Sequence, residues 1–441
     1  MPLKSVKLDA NQLSVVEFSE KKKNFVLADF GPVNPLPMQY LGAKGRISRW
    51  IISNIDKEFP RATKFVDLFA GTGAVSIEAA AHGYDVVLND IQPYSYAVLS
   101  SVFEKPKLGL AKLADELHTY VTSKSNLLSG SRKKLRSYLK EEDLFVESLK
   151  LQKFAWTKYR KFNETTPRYS TKTQAKNKKA LNNHDLFSWY YPNTYFGIRQ
   201  CLEIDTIREF ADSKDVNTRA HILAAVISAL TFTVSSTTHL AQFIKPNTKK
   251  QAEFLLRKRT KSIVDSVIHR LRKLSECSDF SAGKVYNLDY LEALKKIPAS
   301  KSTVVYADPP YFKEHYSRYY HVLDTFYLYD YPELSLNPQT GSLTEGKYRT
   351  NRIISDFGLR SKVENAFSNM LRVCKSKGFS VAISYANTSL IDKAKMTRLI
   401  TASGYKILSL EEKGLMHSAQ GQPSNKIALE YLYLLVPQDE Q

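Results

Sequence analysis

The residue types with the clearest chemical potential stand together where a β-branched run, residues 302–307, is stopped by two prolines. The run predicts a short buried strand, because a proline pair cannot continue a sheet. Asp308 then offers a carboxylate, and Pro309 offers a carbonyl but no N–H. Pro310 restrains the backbone before Tyr311, whose ring is a flat aromatic face. Such a corner could accept both hydrogens of an exocyclic amine on a planar ring; a strand-ending turn without chemistry is the alternative.

A strand–loop–helix–strand unit precedes this corner in the chain. Residues 65–69 predict a strand and residues 74–81 a helix, joined by a turn that contains two glycines. Glycines let the backbone approach a ligand closely, and a helix N-terminus leaves N–H groups available. The second predicted strand, residues 85–90, ends in Asp90, which could accept both hydroxyls of a ribose. Enzymes that bind NAD use a similar turn, but Ser76 stands where their fingerprint has its third glycine.

The order and content of these motifs resemble the Dam-like (D12 class, α group) DNA N6-adenine methyltransferases. The resemblance rests on Asp-Pro-Pro-Tyr at 308–311, on the Phe-x-Gly-x-Gly turn at 69–73 and on the stretch 39–44, with Tyr40 four residues before Lys44. It covers most of the chain outside residues 105–280. It implies an α/β fold: a Rossmann-like S-adenosylmethionine-dependent methyltransferase sheet with an inserted, mainly helical target-recognition domain and an antiparallel last strand.

The resemblance also implies roles for individual residues. Asp308, Pro309, Pro310 and Tyr311 would be catalytic, S-adenosyl-L-methionine is the implied cofactor, and no metal site is expected. The residues expected to bind the cofactor are Tyr40, Lys44, Asp67, Phe69, Gly71, Gly73, Asp90, Asp289, Tyr290 and Asp308. A solvated loop lysine at Lys44 and capping aspartates at Asp90 and Asp289 remain the alternatives.

The composition favours a polyanionic partner. Lysine and arginine number 64 against 44 aspartates and glutamates, a formal net charge of +20 in 441 residues. Such an excess suits phosphate contacts with counterion release, although a membrane surface or simple solubility are alternatives. The three cysteines form no Cys-x-x-Cys pair, which argues against a zinc ribbon and fits a reducing cytosol. The first residues lack the apolar core of a signal peptide, so we expect a cytoplasmic protein, bacterial or in a phage-infected host.

The segment 105–280 differs in composition from its flanks, because basic residues alternate there with aromatics. Such a surface can follow phosphates and stack bases, whereas a helical bundle with solvated lysines is the alternative. Its most apolar run, residues 223–243, contains several hydroxyl side chains and predicts a buried helix rather than a membrane span. Over the whole chain, the residues predicted to contact nucleic acid are Lys133, Lys134, Lys178, Tyr316, Arg318, Lys347 and Arg349.

Four segments follow from these patterns. They are an N-terminal arm at 1–36, the cofactor half of the catalytic domain at 37–104, the target-recognition insert at 105–280 and the Asp-Pro-Pro-Tyr half at 281–441. The resemblance predicts methyl transfer to N6 of an adenine flipped out of double-stranded DNA, for restriction-modification or epigenetic marking. A cognate restriction endonuclease would then be a second partner. Methylation of RNA or of cytosine N4, a DNA-binding protein without catalysis and an NAD-binding enzyme are the alternatives.

Overall fold

A computed structural model gives the fold of most of the chain. The residues it describes are 38, 40, 42, 44–106, 108–166, 184–236, 239–276, 283–310, 316–416 and 427–438. The predicted N-terminal arm, residues 1–36, lies outside them.

One seven-stranded sheet organises the described residues. Its strands, in chain order, are β1 (Lys64–Asp67), β2 (Asp85–Asn89), β3 (Gly283–Tyr286), β4 (Thr303–Ala307), β5 (Ser380–Ala386), β6 (Tyr405–Met416) and β7 (Ile427–Pro437). Their order across the sheet is β3-β2-β1-β4-β5-β7-β6. The first five pair in parallel, whereas β7 is antiparallel to both of its neighbours. In open sheets of this kind, ligands bind beyond the carboxyl ends of the parallel strands.

Helices connect and cover the strands. They are α1 (Ser48–Glu58), α2 (Ala74–Ala81), α3 (Pro93–Phe103), α4 (Leu110–Thr122), α5 (Lys124–Leu127), α6 (Arg136–Lys150), α7 (Trp156–Thr165), α8 (Leu186–Tyr190), α9 (Ile198–Asp212), α10 (Val216–Thr233), α11 (Lys249–Arg259), α12 (Ile263–Ser275), α13 (Tyr290–Lys296), α14 (Tyr316–Tyr319), α15 (His321–Leu328), α16 (Val363–Ser376) and α17 (Lys393–Ala402). Short 3-10 turns occupy Gly130–Leu135 and Asp356–Gly358.

Alternating strand residues supply one core on each face of the sheet. Val305 and Ala307 of β4 pack with α13, α16 and α17, whereas Val304 and Tyr306 pack with α1, α2 and α3. Side chains in a strand point alternately to opposite faces, so a strand buried on both faces reads as the near-continuous apolar run seen here. The central strand that delivers Asp308 is therefore held from both sides.

The segment 105–280 is mainly helical over the residues that the structure describes, as predicted, with loops between its helices. Some of its helices pack on the catalytic domain: Leu113 of α4, Ile207 of α9 and Leu223 of α10 share one apolar cluster with Ala97 of α3 and Phe326 of α15. A second apolar cluster, which includes Leu139 of α6, Phe162 of α7 and Leu256 of α11, consists only of residues of this segment. The predicted buried helix in the run 223–243 is confirmed over α10, most of whose residues are buried. None of the helices in the described ranges is long and apolar enough to cross a membrane.

The elements predicted around the motifs are confirmed, with small shifts at their ends. The helix predicted at 74–81 is α2, and the strands predicted at 65–69, 85–90 and 302–307 are β1, β2 and β4. The last strand is antiparallel, as the resemblance implied. It does not form the edge, however, because it lies between β5 and β6 and pairs with both.

Candidate active site

Three neighbouring parallel strands end at one cavity. Asp67 is the last residue of β1, Asp90 follows β2 by one residue, and Asp308 follows β4 directly. Since β1 pairs with both β2 and β4, these three carboxylates come to the same edge of the sheet. The space they border measures about 870 Å³, its open mouth included. Its wall consists of Tyr40, Gly42, Lys44, Asp67, Phe69, Ala70, Gly71, Thr72, Ala74, Val75, Asp90, Ile91, Gln92, Tyr306, Asp308, Pro310, Ser317, Ile353, Ile354, Ser355 and Gly358.

The glycine turn between β1 and α2 forms the part of the wall nearest Tyr40. Gly71 has φ +54°, and a Cβ added there would lie 2.9 Å from Cε1 of Tyr40. Only glycine tolerates both the left-handed backbone and this close approach. The Tyr40 ring is in turn stacked on Tyr320, with centroids 5.3 Å apart and planes 12° apart. Gly73 has φ +78° and is the N-cap residue of α2, but it faces Leu99 rather than the cavity.

Asp90 ties this turn to the loop after β2. Its two carboxylate oxygens accept hydrogen bonds from the backbone N–H groups of Gly71 and Gln92, each at 2.8 Å. Burial raises the pKa of Asp90 to about 6, against the opposing effect of these two hydrogen bonds. An ionised carboxylate has about four lone-pair sites, so the hydrogen bonds leave acceptor capacity towards the cavity.

Asp67 has one carboxylate oxygen directed towards few donors of the described residues, although the backbone N–H of Phe69 lies close enough to lower its pKa. Ser76 Oγ donates to Oδ2 at 2.7 Å, but the buried Oδ1 has no hydrogen-bond partner among the described residues. Burial raises the pKa of Asp67 to about 7, and the charges of Asp308 and Asp90 add to the rise, whereas the Ser76 hydrogen bond lowers it. A buried carboxylate without a counterion is costly, so this oxygen is suited to a cationic ligand in the cavity.

Asp308 is paired with a lysine from the start of the fold. Lys44 Nζ lies 2.9 Å from Asp308 Oδ1 and 3.4 Å from Oε1 of Glu430 on β7. Ser384 Oγ on β5 donates to the same Oε1 at 2.5 Å. Burial raises the pKa of Asp308 to about 7, while Lys44 lowers it and Glu430 raises it. The carboxylate therefore titrates near neutral pH and already has a cation as its hydrogen-bond donor.

Comparison with known proteins agrees with this geometry. The family model described as D12 class N6 adenine-specific DNA methyltransferase matches residues 40–200 and 190–414. The chain belongs to this family. The match includes both the glycine turn and the corner at Asp308, and it extends through most of the helical segment.

Individual relatives are similar over most of this chain. Type II methyltransferase M.FokI of Planomicrobium okeanokoites is 23% identical over 385 residues, 83% of this chain and 47% of the relative. Type II methyltransferase M.CviAII of Paramecium bursaria Chlorella virus 1 is 24% identical, over 83% of this chain and 88% of the relative. Type II methyltransferase M.NlaIII of Neisseria lactamica is 23% identical, over 90% and 99%. The chain thus spans about half the length of the first relative and most of the other two.

Most of the predicted site residues of this D12 chain border the cavity. Asp308, Pro310, Tyr40, Lys44, Asp67, Phe69, Gly71 and Asp90 all lie in its wall. Pro309 is buried next to them, and Tyr311 is outside the described residues. Lys44, predicted to contact the cofactor, is buried in this wall, and its ammonium also lies within ion-pair distance of Asp308 and Glu430.

Three predicted cofactor residues do not line the cavity: Gly73, which faces Leu99, and the pair Asp289 and Tyr290. Asp289 caps α13, where its Oδ1 accepts from the backbone N–H of Leu291 at 2.9 Å. Tyr290 is buried against Phe69 and Phe357, with ring centroids 6.3 and 5.0 Å away. The motif lies on the loop after β3, one strand further from β1 than Asp90. Through Phe69, Tyr290 supports the wall from behind instead of lining it.

Two of the residues predicted to contact nucleic acid are part of the interior instead. Arg349 is 2% exposed and donates to both oxygens of Asp330, at 2.9 and 2.6 Å. Lys347 is 5% exposed, and its ammonium donates to the backbone carbonyl of Tyr190. The basic run 347–352 resembles a solvated surface in sequence, but these two side chains point inward. We therefore assign both to the scaffold rather than to a DNA surface.

The other predicted contacts are at the surface or outside the described residues. Lys133 and Lys134 are exposed, and Lys134 Nζ lies 5.8 Å from the centroid of the Trp189 ring. Lys178 is outside the described residues, and Tyr316 begins α14 with its side chain undescribed. Arg318 is exposed next to the wall residue Ser317, and its guanidinium lies 5.8 Å from the centroid of the Tyr348 ring.

Sequence patterns did not single out several residues of the site. Ser384 and Glu430 stand in apolar strands, and a lone charged residue in such a strand was the available signal for Glu430. Arg352, three residues after Arg349, was not predicted as a contact either, yet it approaches the same Tyr348 ring as Arg318, at 5.8 Å. The wall residues Ile353, Ile354, Ser355 and Gly358 belong to no motif that could have indicated them.

Proposed function

We propose that this chain transfers a methyl group from S-adenosyl-L-methionine to N6 of adenine in double-stranded DNA. One observation carries the proposal: Asp308 borders the same cavity as the glycine turn and Asp90. A donor held at that turn and an amine held at the Asp308 corner would therefore meet inside one cavity. Proximity of this kind accounts for much of the acceleration when the donor is already activated.

The described residues fit the cofactor. It carries positive charge and a ribose, and the cavity offers the unpartnered Oδ1 of Asp67 to a cation and the remaining lone pairs of Asp90 to hydroxyls. Gly71 lets a ligand approach the backbone of the turn closely, whereas any side chain there would collide with Tyr40. When bound, S-adenosylmethionine supplies a methyl group attached to a positively charged sulfur.

The residues of the corner would act on the amine rather than on the donor. Adenine N6 is a weak nucleophile because its lone pair is delocalised into the ring. Asp308 and the carbonyl of Pro309, accepting one N6 hydrogen each, would favour a tetrahedral nitrogen and orient its lone pair. Once methylated, the nitrogen must lose a proton, and Asp308, whose pKa burial raises to about 7, is a suitable acceptor near neutral pH.

Asp308 lies inside the cavity, with 15% of its side chain exposed. A base stacked in a duplex cannot reach such a position, so we infer that the target adenine is flipped out of the helix. Unstacking costs a few kcal/mol, which pocket and backbone contacts must offset. Arg318 and Arg352, both held at the ring of Tyr348 beside the wall, are suited to the phosphates next to the flipped nucleotide.

The relatives support a role in DNA modification. Their names describe type II methyltransferases and, for two more of them, modification methylases. We therefore propose that this chain marks sites for a restriction-modification system, with a cognate endonuclease as a second partner.

Transfer of tritiated methyl groups from S-adenosylmethionine tests the proposal. Plasmid DNA, RNA and duplexes made only of G·C pairs are compared as acceptors, and the labelled nucleoside is identified after digestion. We expect label in N6-methyl-2′-deoxyadenosine, from DNA alone. Label in N4-methylcytosine or in RNA would replace the proposed acceptor, and no transfer to any of them would refute the activity.

Substitution of the catalytic carboxylate separates binding from chemistry. Asp308→Ala should bind S-adenosylmethionine near normally and methylate no adenine, because the donor site at Asp90 and Gly71 is intact. Asp85→Ala is the matched control, since Asp85 lies at the opposite end of β2 and is 66% exposed. Turnover by Asp308→Ala at the level of this control would remove Asp308 from its role.

A further inference from the structure

One lysine ammonium lies between two carboxylates at the buried end of the corner. Lys44 Nζ is 2.9 Å from Asp308 and 3.4 Å from Glu430, and Glu430 is the more deeply buried of the two, at 1% exposed. Glu430 is also fixed from a neighbouring strand. Ser384 on β5 lies diagonally across the pairing from it, and its hydroxyl donates to Glu430 at 2.5 Å.

This geometry bears on how Asp308 can bind an amine. One of its oxygens already accepts from Lys44, and an incoming amine would compete for the same carboxylate. A lysine displaced from Asp308 without another partner would be an unpaired buried charge, which is strongly unfavourable. Glu430 is already within ion-pair distance and needs no rearrangement to become that partner.

We propose that Glu430 is a positioning residue, which keeps Lys44 paired while Asp308 turns its carboxylate to the target amine. The inference rests on the proposed function, because it concerns the amine-binding state of the same corner. Without substrate, the two carboxylates share the ammonium. With the amine bound, Lys44 pairs chiefly with Glu430, and Ser384 holds Glu430 in place for this.

The charges that face Asp308 make the predicted effect of Glu430 measurable in the pH dependence of methylation. They belong to Lys44, Glu430 and Asp67, while the Tyr306 hydroxyl is neutral because its pKa is raised well above its ordinary value. The negative charge of Glu430 raises the pKa of Asp308. Its removal therefore lowers that pKa. Because Asp308 must be ionised to accept an amine hydrogen, the acid limb of the reaction would move to lower pH.

The test variant is Glu430→Gln, which keeps the length of the side chain and an oxygen for the Ser384 hydroxyl. Single-turnover methylation is measured with saturating cofactor between about pH 5.5 and about pH 9. We expect the plateau rate to fall at least about tenfold, since Lys44 stays on Asp308, and the acid limb to move down by about one pH unit. The dissociation constant for S-adenosylmethionine should not change.

Two further variants separate positioning from structure. Glu430→Asp keeps the charge and should return the acid limb to its wild-type position. Glu412→Gln on β6, where Glu412 is 43% exposed and paired with Lys393, should behave as wild type. If Glu430→Gln instead melts earlier and loses activity with the acid limb unmoved, its role is structural and the positioning role is wrong.

A direct titration keeps this result distinct from the proposed function. The Asp308 carboxyl carbon is followed by ¹³C NMR in aspartate-labelled protein and assigned with Asp308→Asn. A lower midpoint in Glu430→Gln than in wild type supports the coupling even if wild type methylates no DNA, an outcome that would refute only the proposed activity. An unchanged midpoint would overturn the inference whatever the activity.

Discussion

Replacing Asp67 by asparagine removes a negative charge from the cavity wall with little change in shape. The folded protein raises the pKa of Asp67 from 3.8 to about 7, mainly by burial. Since a tenfold change in a protonation equilibrium is about 1.4 kcal/mol, ionised Asp67 destabilises the free protein by up to about 4 kcal/mol. Stability from the protonated form is complete below the unfolded pKa and is lost as the pH rises through about 7. Asp67→Asn should therefore be the more stable free protein at pH 8, by part of that amount.

Binding of S-adenosylmethionine should make the negative charge of Asp67 favourable instead of unfavourable. If Oδ1 of Asp67 binds a cationic group of S-adenosylmethionine, the charge that destabilises the free protein becomes paired in the complex. Asp67→Asn should then bind the cofactor about tenfold to a hundredfold more weakly at pH 8, the loss of one charge-assisted contact. In wild type, only about one molecule in ten is ionised at this position at about pH 6, so affinity should be roughly tenfold lower there than at about pH 8.

Calorimetric titration with S-adenosylmethionine at both pH values, together with thermal unfolding, measures both effects. Asp90 and Asp308 also titrate in this range, and the variant distinguishes them, because Asp67→Asn should lose most of the pH dependence. Asp85→Asn is the control for charge alone and should retain it. The reasoning is refuted if Asp67→Asn binds the cofactor as tightly as wild type at pH 8. It is refuted equally if the variant keeps the full pH dependence.

Two other substitutions probe the donor site and the DNA surface. In Gly71→Ala the new Cβ would combine φ +54° with a contact of 2.9 Å to Tyr40, so the variant should bind the cofactor at least about tenfold more weakly. Gly109→Ala is the control, because its Cβ would meet nothing within 4 Å. Equal affinities of the two variants in calorimetric titration would contradict the packing argument. Arg318→Ala should weaken DNA binding evenly across sequences, and the slope of the logarithm of the DNA-binding constant against the logarithm of the salt concentration should fall by about one. Fluorescence anisotropy measures this slope. If it is unchanged and equal to that of the control Lys395→Ala, Arg318 does not contact a phosphate.

The donor half of the site could be predicted from sequence because its determinants are local. Glycines at 71 and 73, an apolar strand on each side and Asp90 at the end of the second strand all lie within 26 residues, from 65 to 90. The resulting β1–α2–β2 unit brings Asp90 to the wall with little help from the rest of the chain. The position of Asp308 could be predicted in a similar way, because a strand that ends before two prolines places the next side chain at the carboxyl edge of a parallel sheet.

The lysine network could not be predicted in the same way. Lys44 and Asp308 are separated by 264 residues, and no periodicity relates the two. Glu430 joins them only because β7 is inserted beside β5, a pairing that depends on the order of strands in the sheet. The predicted nucleic-acid contact of Arg349 was wrong for a related reason. A run of charged residues predicts solvent exposure, but a buried arginine is stable when a carboxylate such as Asp330 pairs with it.

Part of the helical segment 105–280 shares its apolar core with the cofactor half, while its other helices have a cluster of their own. Helix α3 begins three residues after Asp90, and its residues Tyr94, Ala97 and Val98 lie in the apolar cluster that contains α9, α10 and α12. Helix α15, which follows the wall residue Ser317, supplies Phe326 to the same cluster. Because packed cores transmit volume changes to their neighbours, a cavity made among these helices would displace both ends of the site. Changes of target specificity in this chain are therefore best confined to exposed helical positions, such as Lys133 and Lys134, which do not belong to that cluster.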